Sequence, residues 1–232
     1  MQKSFRRKFL QTSAGALLVL GGLCNPLFFF VKRVWAETKK RTLSKATDPD
    51  SLRNLSPKNL DTHNLEVMPL KDFGTMGDTN ISVDTQKWRL KIDGQIEKPT
   101  SLTYGQILKL PSLKRNVLLI CPGVFSNHGR WKGVSAKALL EMVMVKSEAK
   151  QVVFEGRSQF GEQKAKFPIE DFKSEQVFLC YEVNGKPLPQ RHGFPLRVIA
   201  EGYYGSTWAK YVDRIIFVDG NNAKEEKPSV GM

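Results

Sequence analysis

Cysteine is scarce, with 3 in 232 residues, and no two of them stand in a C-x-x-C pair. That excludes a disulfide-stapled miniprotein, a paired-cysteine zinc site and covalent haem attachment through C-x-x-C-H. Histidine is as sparse: His63, His128 and His192 are too scattered for a zinc signature, and no H-E-x-x-H occurs. There is no internal repeat and no low-complexity tract, and outside residues 14–31 no apolar run approaches membrane-span length, which excludes a multispan membrane protein. The composition that remains is globular, with 41% apolar, 10% aromatic and 25% charged residues. At roughly 100 to 200 residues per domain, such a chain holds one domain with a targeting segment and an arm.

The net charge of +13 is unevenly spread. Residues 1–36 carry Lys3, Arg6, Arg7, Lys8, Lys32 and Arg33 and no acid, leaving 30 basic against 23 acidic residues in 37–232. A moderate excess without an aromatic-basic motif suits anionic ligands or an acidic protein partner and gives no ground for nucleic-acid binding. Met1 to Ala36 has a basic start, an apolar stretch and a small residue before polarity rises at Glu37. Its Ser4-Phe5-Arg6-Arg7-Lys8-Phe9-Leu10 resembles a twin-arginine export signal, which implies the twin-arginine export machinery and a periplasmic location, or the outer face of the bacterial cytoplasmic membrane. The alternative is an uncleaved anchor, because Ala14 to Val31 spans 18 residues, although Gly21, Gly22, Asn25 and Pro26 interrupt it. Leu23 is too bulky before Cys24 for lipidation.

Residues 37–66 read as a polar linker or surface arm, 67–220 as the folded domain and 221–232 as a polar tail. Trp88 to Ile92 alternates and enters a bend at Asp93-Gly94, while Leu102 to Leu110 has helical spacing ended by Pro111. Asn116 to Cys121 fits a buried strand, Ser135 to Val143 a Ser-capped helix, and Gln151 to Gly156 another strand. Phe167 to Phe172 reads as a helical turn, and Val177 to Val183, Leu196 to Ala200 and Tyr211 to Val218 as strands. Short strands with a few small helices predict a mixed, mostly-β α+β fold.

Cys121 ends its apolar run and is followed by Pro122-Gly123, so a strand delivers a thiol to a loop of restricted geometry. Taken alone, the residue reads as well as a buried structural cysteine. The wider stretch from Cys121 through Trp131-Lys132-Gly133-Val134 to Leu139-Leu140 resembles the sulfite oxidase family of molybdopterin-dependent oxidoreductases. A second block agrees in order and spacing: Tyr181-Glu182-Val183-Asn184-Gly185-Lys186-Pro187-Leu188-Pro189, His192-Gly193-Phe194-Pro195-Leu196-Arg197, Gly202 to Gly205, and Lys210. Asp72-Phe73-Gly74-Thr75 looks like the E-F-G-T stretch of the exported methionine sulfoxide reductase branch, but Met68 and Pro69 stand where that branch has paired asparagines. An asparagine contact near the metal therefore does not carry over.

The resemblance implies a sulfite-oxidase-type molybdopterin-binding fold, a molybdenum-molybdopterin (Mo-MPT) cofactor, Cys121 as the metal's thiolate ligand, and His192, Arg197 and Lys210 as cofactor-binding residues. Soft thiolate suits a redox metal already held by sulfur, and cationic donors suit a phosphate. Tyr181 matches the tyrosine beside the metal in sulfite oxidases, a catalytic role, though on an alternating strand it reads equally as a half-buried aromatic. Cys180, next to it, is expected in the core. His128 and Arg130 reach either the pocket mouth or the surface. The implied reaction is oxygen-atom transfer on a small sulfur oxyanion such as sulfite; a sulfoxide reductase is the alternative, and a non-enzymatic envelope binding or scaffold protein the third. Lacking a haem motif, the chain would need a separate cytochrome or membrane haem protein for electrons, as a monomer or a subunit of a membrane-associated pair.

Overall fold

A computed structural model describes residues 40–159 and 161–220. The expected export signal at 1–36 and polar tail at 221–232 lie outside the described residues. Among the described residues no helix is long and apolar enough to cross a membrane.

The fold is mostly β with short helices. In chain order the elements are β1 (Arg41–Thr42), β2 (Leu60–Asp61), β3 (Arg89–Gly94), β4 (Thr100–Thr103), α1 (Tyr104–Ile107), β5 (Ser112–Cys121) and β6 (Phe125–Val134). There follow α2 (Ala136–Val143), β7 (Ala149–Ser158), β8 (Gly161–Pro168), α3 (Ile169–Lys173), β9 (Val177–Val183), β10 (Lys186–Pro187), β11 (Arg197–Ala200) and β12 (Val212–Asp219). One sheet runs β4-β3-β12-β7-β8; the other runs β10-β9-β6-β5, with β11 also paired to β9. Within these two sheets all pairings are antiparallel except β12 on β3.

Alternation explains the core. Leu90 and Ile92 of β3, Val152 and Phe154 of β7, and Ile215 and Phe217 of β12 are buried in one cluster with Val117, Leu119, Cys121 and Trp131 of the second sheet. The helix α3 packs against β7, β8 and β9, which puts Phe172 edge-on to Phe154. Ser135 caps α2 through its hydroxyl, as the sequence predicts. Where the sequence predicts one helix over Leu102 to Leu110, Leu102 belongs to β4 and only four residues are helical, started by a Thr103/Gln106 capping box. Six strands are absent from the sequence reading: the short β1, β2, β4 and β10, and the long β6 and β8.

Residues 40–66 bring Leu43, Leu52, Leu60 and Leu65 onto Leu118 and Ile120, a second apolar cluster. Strand β5 is thus covered on both sides: Leu118 and Ile120 face these leucines, while Val117, Leu119 and Cys121 face the main core. Each fully buried leucine contributes roughly 1.5 to 3 kcal/mol. Polar contacts fasten the segment further: the Ser126 hydroxyl donates to Pro49 O, and the Gly123 amide to Arg53 O at 3.2 Å.

Candidate active site

Cys121 closes β5 at a tight turn in which the Val124 amide donates to its carbonyl at 3.0 Å and Gly123 takes a φ of 73°. The thiol is buried, and that burial pushes its pKa up. Cys121 lines a cleft of about 190 Å³ together with Leu119, Phe125, Asn127, Trp208, Arg197 and Lys210.

A strap formed by Gly74 to Gly77 passes over this cleft. Asn127, itself buried, accepts the Gly74 amide and donates to the Gly74 carbonyl, both at 2.9 Å. Thr75 Oγ1 donates to Arg191 O at 3.1 Å. The Lys210 ammonium donates to Met76 O at 3.0 Å, to Arg191 O at 3.4 Å, and to Asp78 O. Gly74 is required where it stands, because a Cβ there would lie 2.4 Å from the Phe125 ring.

Arg197 is the electrostatic centre. Its guanidinium lies 5.6 Å from the Trp131 ring and 5.8 Å from the Trp208 ring, and these two indoles meet edge-on at 5.8 Å. It donates to His192 O at 3.1 Å and Trp208 O at 3.5 Å, while its buried Nε has no partner. No ion pair to Arg197 is found among the described residues, and burial lowers its pKa to about 10. Burial first, then Arg197, lowers Lys210 to about 8; burial, then Arg197, Arg191 and Lys210, lowers His192 to about 4. The cleft therefore concentrates positive charge in a low-dielectric setting, an arrangement that favours an anion.

Three of the sequence-predicted residues, Cys121, Arg197 and Lys210, share this cleft. His192 is buried behind it, with its carbonyl on Arg197 and its ring edge-on to Phe73 at 6.0 Å. Tyr181 does not line the cleft; it is buried on β9 with Lys132 Nζ 5.7 Å from its ring centre. Cys180 is wholly buried, with its thiol 3.1 Å from Glu182 O and its pKa pushed by burial up to about 12. His128 faces the 66–68 segment, its Nδ1 3.0 Å from Glu66 O, and Arg130 is exposed on an outer groove beside Lys114. Met68 accepts the His128 amide on sulfur at 3.4 Å, so it fastens that same segment. Sequence reasoning missed Asn127, Gln163 and Trp208; the Gly74-Thr75 resemblance was the one signal that pointed to the strap.

Among the described residues no three His, Cys, Asp or Glu side chains gather as a metal cage. A metal here would draw one soft protein donor, Cys121, with its remaining ligands coming from a cofactor. The unpartnered Arg197 Nε suits that cofactor's phosphate, and the Lys210 ammonium, held by the carbonyls of Met76, Asp78 and Arg191, adds positive charge to the same cleft, so the donor set fits molybdenum-molybdopterin. The strap is fastened largely by polar contacts that involve backbone groups. Pockets for ligands of that size span about 300 to 1,000 Å³.

Comparison with known proteins leads to the same group. Residues 76–225 match the family model described as oxidoreductase molybdopterin binding domain. The chain is 29% identical over 230 residues to the protein-methionine-sulfoxide reductase catalytic subunit MsrP of Campylobacter jejuni, covering 91% of this chain and 72% of that one. It is 30% identical over 147 residues to YuiH, an uncharacterised oxidoreductase of Bacillus subtilis, covering 63% and 73%. Among solved structures, the sulfane dehydrogenase SoxCD of Paracoccus pantotrophus shares the fold at a TM-score of 0.57 and 24% identity, over 81% of this chain and 52% of that chain. The chain therefore belongs to the sulfite oxidase family of molybdopterin-binding oxidoreductases, and is an enzyme whose cofactor is molybdenum-molybdopterin.

Proposed function

We propose that this chain reduces a sulfoxide at the Cys121 cleft, as an exported catalytic subunit fed with electrons by a separate cytochrome or membrane haem protein. The observation that carries the reading is the meeting of one buried thiol with a buried, acid-free guanidinium on the same cleft. When bound, the cofactor supplies a metal that changes oxidation level by two and exchanges an oxygen atom with the substrate. Cys121 would be its thiolate ligand; coordination favours the deprotonated form that burial alone disfavours. Arg197 and Lys210 would hold the phosphate, and His192 would orient Arg197 through its carbonyl. Trp131 and Trp208 keep water from the guanidinium and so strengthen its pull on an anion.

Sulfite oxidation, the first expectation, leaned on Tyr181, which lies off the cleft lining. The sulfoxide reading is supported by a relative named for that substrate class that matches over nine-tenths of this chain. The overall reaction balances as a sulfoxide with two electrons and two protons giving the thioether and water. The positive cleft keeps sulfite as the second reading. Export rests on Ser4 to Leu10, which would place the enzyme in the periplasm.

The test loads the full chain in a host that makes the cofactor, and compares it with Cys121→Ser. Wild type is expected to carry about one molybdenum per chain and to turn over methionine sulfoxide with a reduced dye faster than it oxidises sulfite. The variant should melt within a few degrees of wild type yet lack activity. Full activity in Cys121→Ser overturns the ligand assignment, and sulfite turnover alone overturns the direction.

A further inference from the structure

We propose that the outer face of the β4-β3-β12-β7-β8 sheet is a docking surface for an acidic one-electron carrier protein. The proposal rests on the reading that electrons come from a separate protein. Pairing across the sheet aligns Lys91, Arg214, Glu155 and Lys164 in one row, since Lys91 pairs with Arg214, Arg214 with Glu155, and Glu155 with Lys164. Side chains in register share a face, so three cations and a single acid cross four strands together. The acid is already used: Glu155 bonds Arg214 at 3.2 Å and Lys164 at 3.1 Å, and Asp93 takes the other edge of Arg214 at 2.9 and 3.2 Å. Arg157 is matched by Asp213 at 2.7 Å. Lys87 and Lys91 are exposed and make no ion pair among the described residues, and the exposed Arg89 donates to the carbonyls of Gln86 and Trp88 rather than to an acid.

All of these charged groups except Lys164 rim an open concavity of about 660 Å³. None of the large exposed apolar residues, Met76, Leu108, Val124, Met144 and Tyr204, lines it. A concave, apolar-poor, cationic face built on rigid strands suits transient docking of a convex acidic protein; a flat bilayer would neither fill the hollow nor find an apolar residue to take up. The face also adjoins the cleft. Gly156 lines the concavity, and a Cβ on it would lie 2.1 Å from the carbonyl of Lys210, whose side chain lines the cleft; the Arg157 amide donates to Tyr211 O at 3.2 Å.

The test measures binding of the full chain to the soluble haem domain of cytochrome b5, an acidic protein, with basic cytochrome c as the opposite-charge control. Lys87→Glu/Lys91→Glu should bind the acidic probe about tenfold more weakly than wild type at about 50 mM salt, with the gap closing near 0.5 M. Lys114→Glu, an exposed cation on another groove, should bind as wild type does. The assignment is overturned by absence of low-salt binding, by equal binding of the double variant, or by phosphatidylglycerol vesicles binding more tightly than the probe through the same lysines. Molybdenum content of the same samples separates failure of this face from failure of the redox reading.

Discussion

His192 shows how much one residue's surroundings decide. Its sequence motif marks it as a phosphate contact, yet the ring is buried against Phe73, and burial with three nearby cations holds its pKa near 4 against an ordinary 6.5. The unfolded chain takes up this proton first as pH falls, so stability is full above about 6.5 and is lost on the way down through about 4. The loss amounts to about 3 kcal/mol below that range. Thermal melts of the cofactor-free protein at pH 7.0, 5.5 and 4.5 should therefore fall steeply, and His192→Gln should flatten the acid limb; parallel slopes would show that other groups govern it. That Cys121, Arg197 and Lys210 meet on one cleft was legible, because an apolar run ends on the first and the motif of the other two keeps its order. Tyr181 stands off the cleft lining, and beside it the β6 to β9 pairing shifts register between Lys132 and Gly133, an irregularity that the sequence pattern does not foresee.

At the scale of elements, β6 was illegible because its buried residues are polar. Ser126, Asn127 and His128 break the apolar pattern, yet each is inside and bonded to a neighbouring segment, at Pro49 O, the Gly74 backbone and Glu66 O, although the buried His128 Nε2 has no partner. The strand β8 hid behind Lys164 and Lys166, the signature of a sheet edge. Where β6 meets β9 the backbones nearly touch, and a Cβ on Gly133 would lie 1.9 Å from Leu179 O. Gly133→Ala should cost roughly 2 to 4 kcal/mol by forcing these strands apart. Gly105→Ala, with no atom within 4 Å of the new Cβ, serves as the control and should be neutral or slightly stabilising. Urea unfolding of both variants checks the pair, and equal midpoints would mean that the sheet absorbs the methyl group.

For the whole molecule, the active-site strand is held from two sides by different parts of the chain. The polar composition of residues 40–66 concealed four spaced leucines that find Leu118 and Ile120. Leu52→Ala should cost about 2 to 5 kcal/mol and, by loosening the strand that ends in Cys121, lower the molybdenum bound per chain; Leu108→Ala, at 45% exposure, should do neither. Unchanged metal content in a destabilised Leu52 variant would separate stability from cofactor loading.

Strand β12, the last among the described residues, lies at the centre of its sheet, between β3 and β7. The two hairpins on either side share no edge until it arrives, and Lys210, which lines the cleft, precedes it by two residues. The sheet therefore cannot close until nearly the whole domain has been made, so the cleft is among the last features to form: a chain without β12 offers a cofactor no finished seat, and only a completed domain can be loaded.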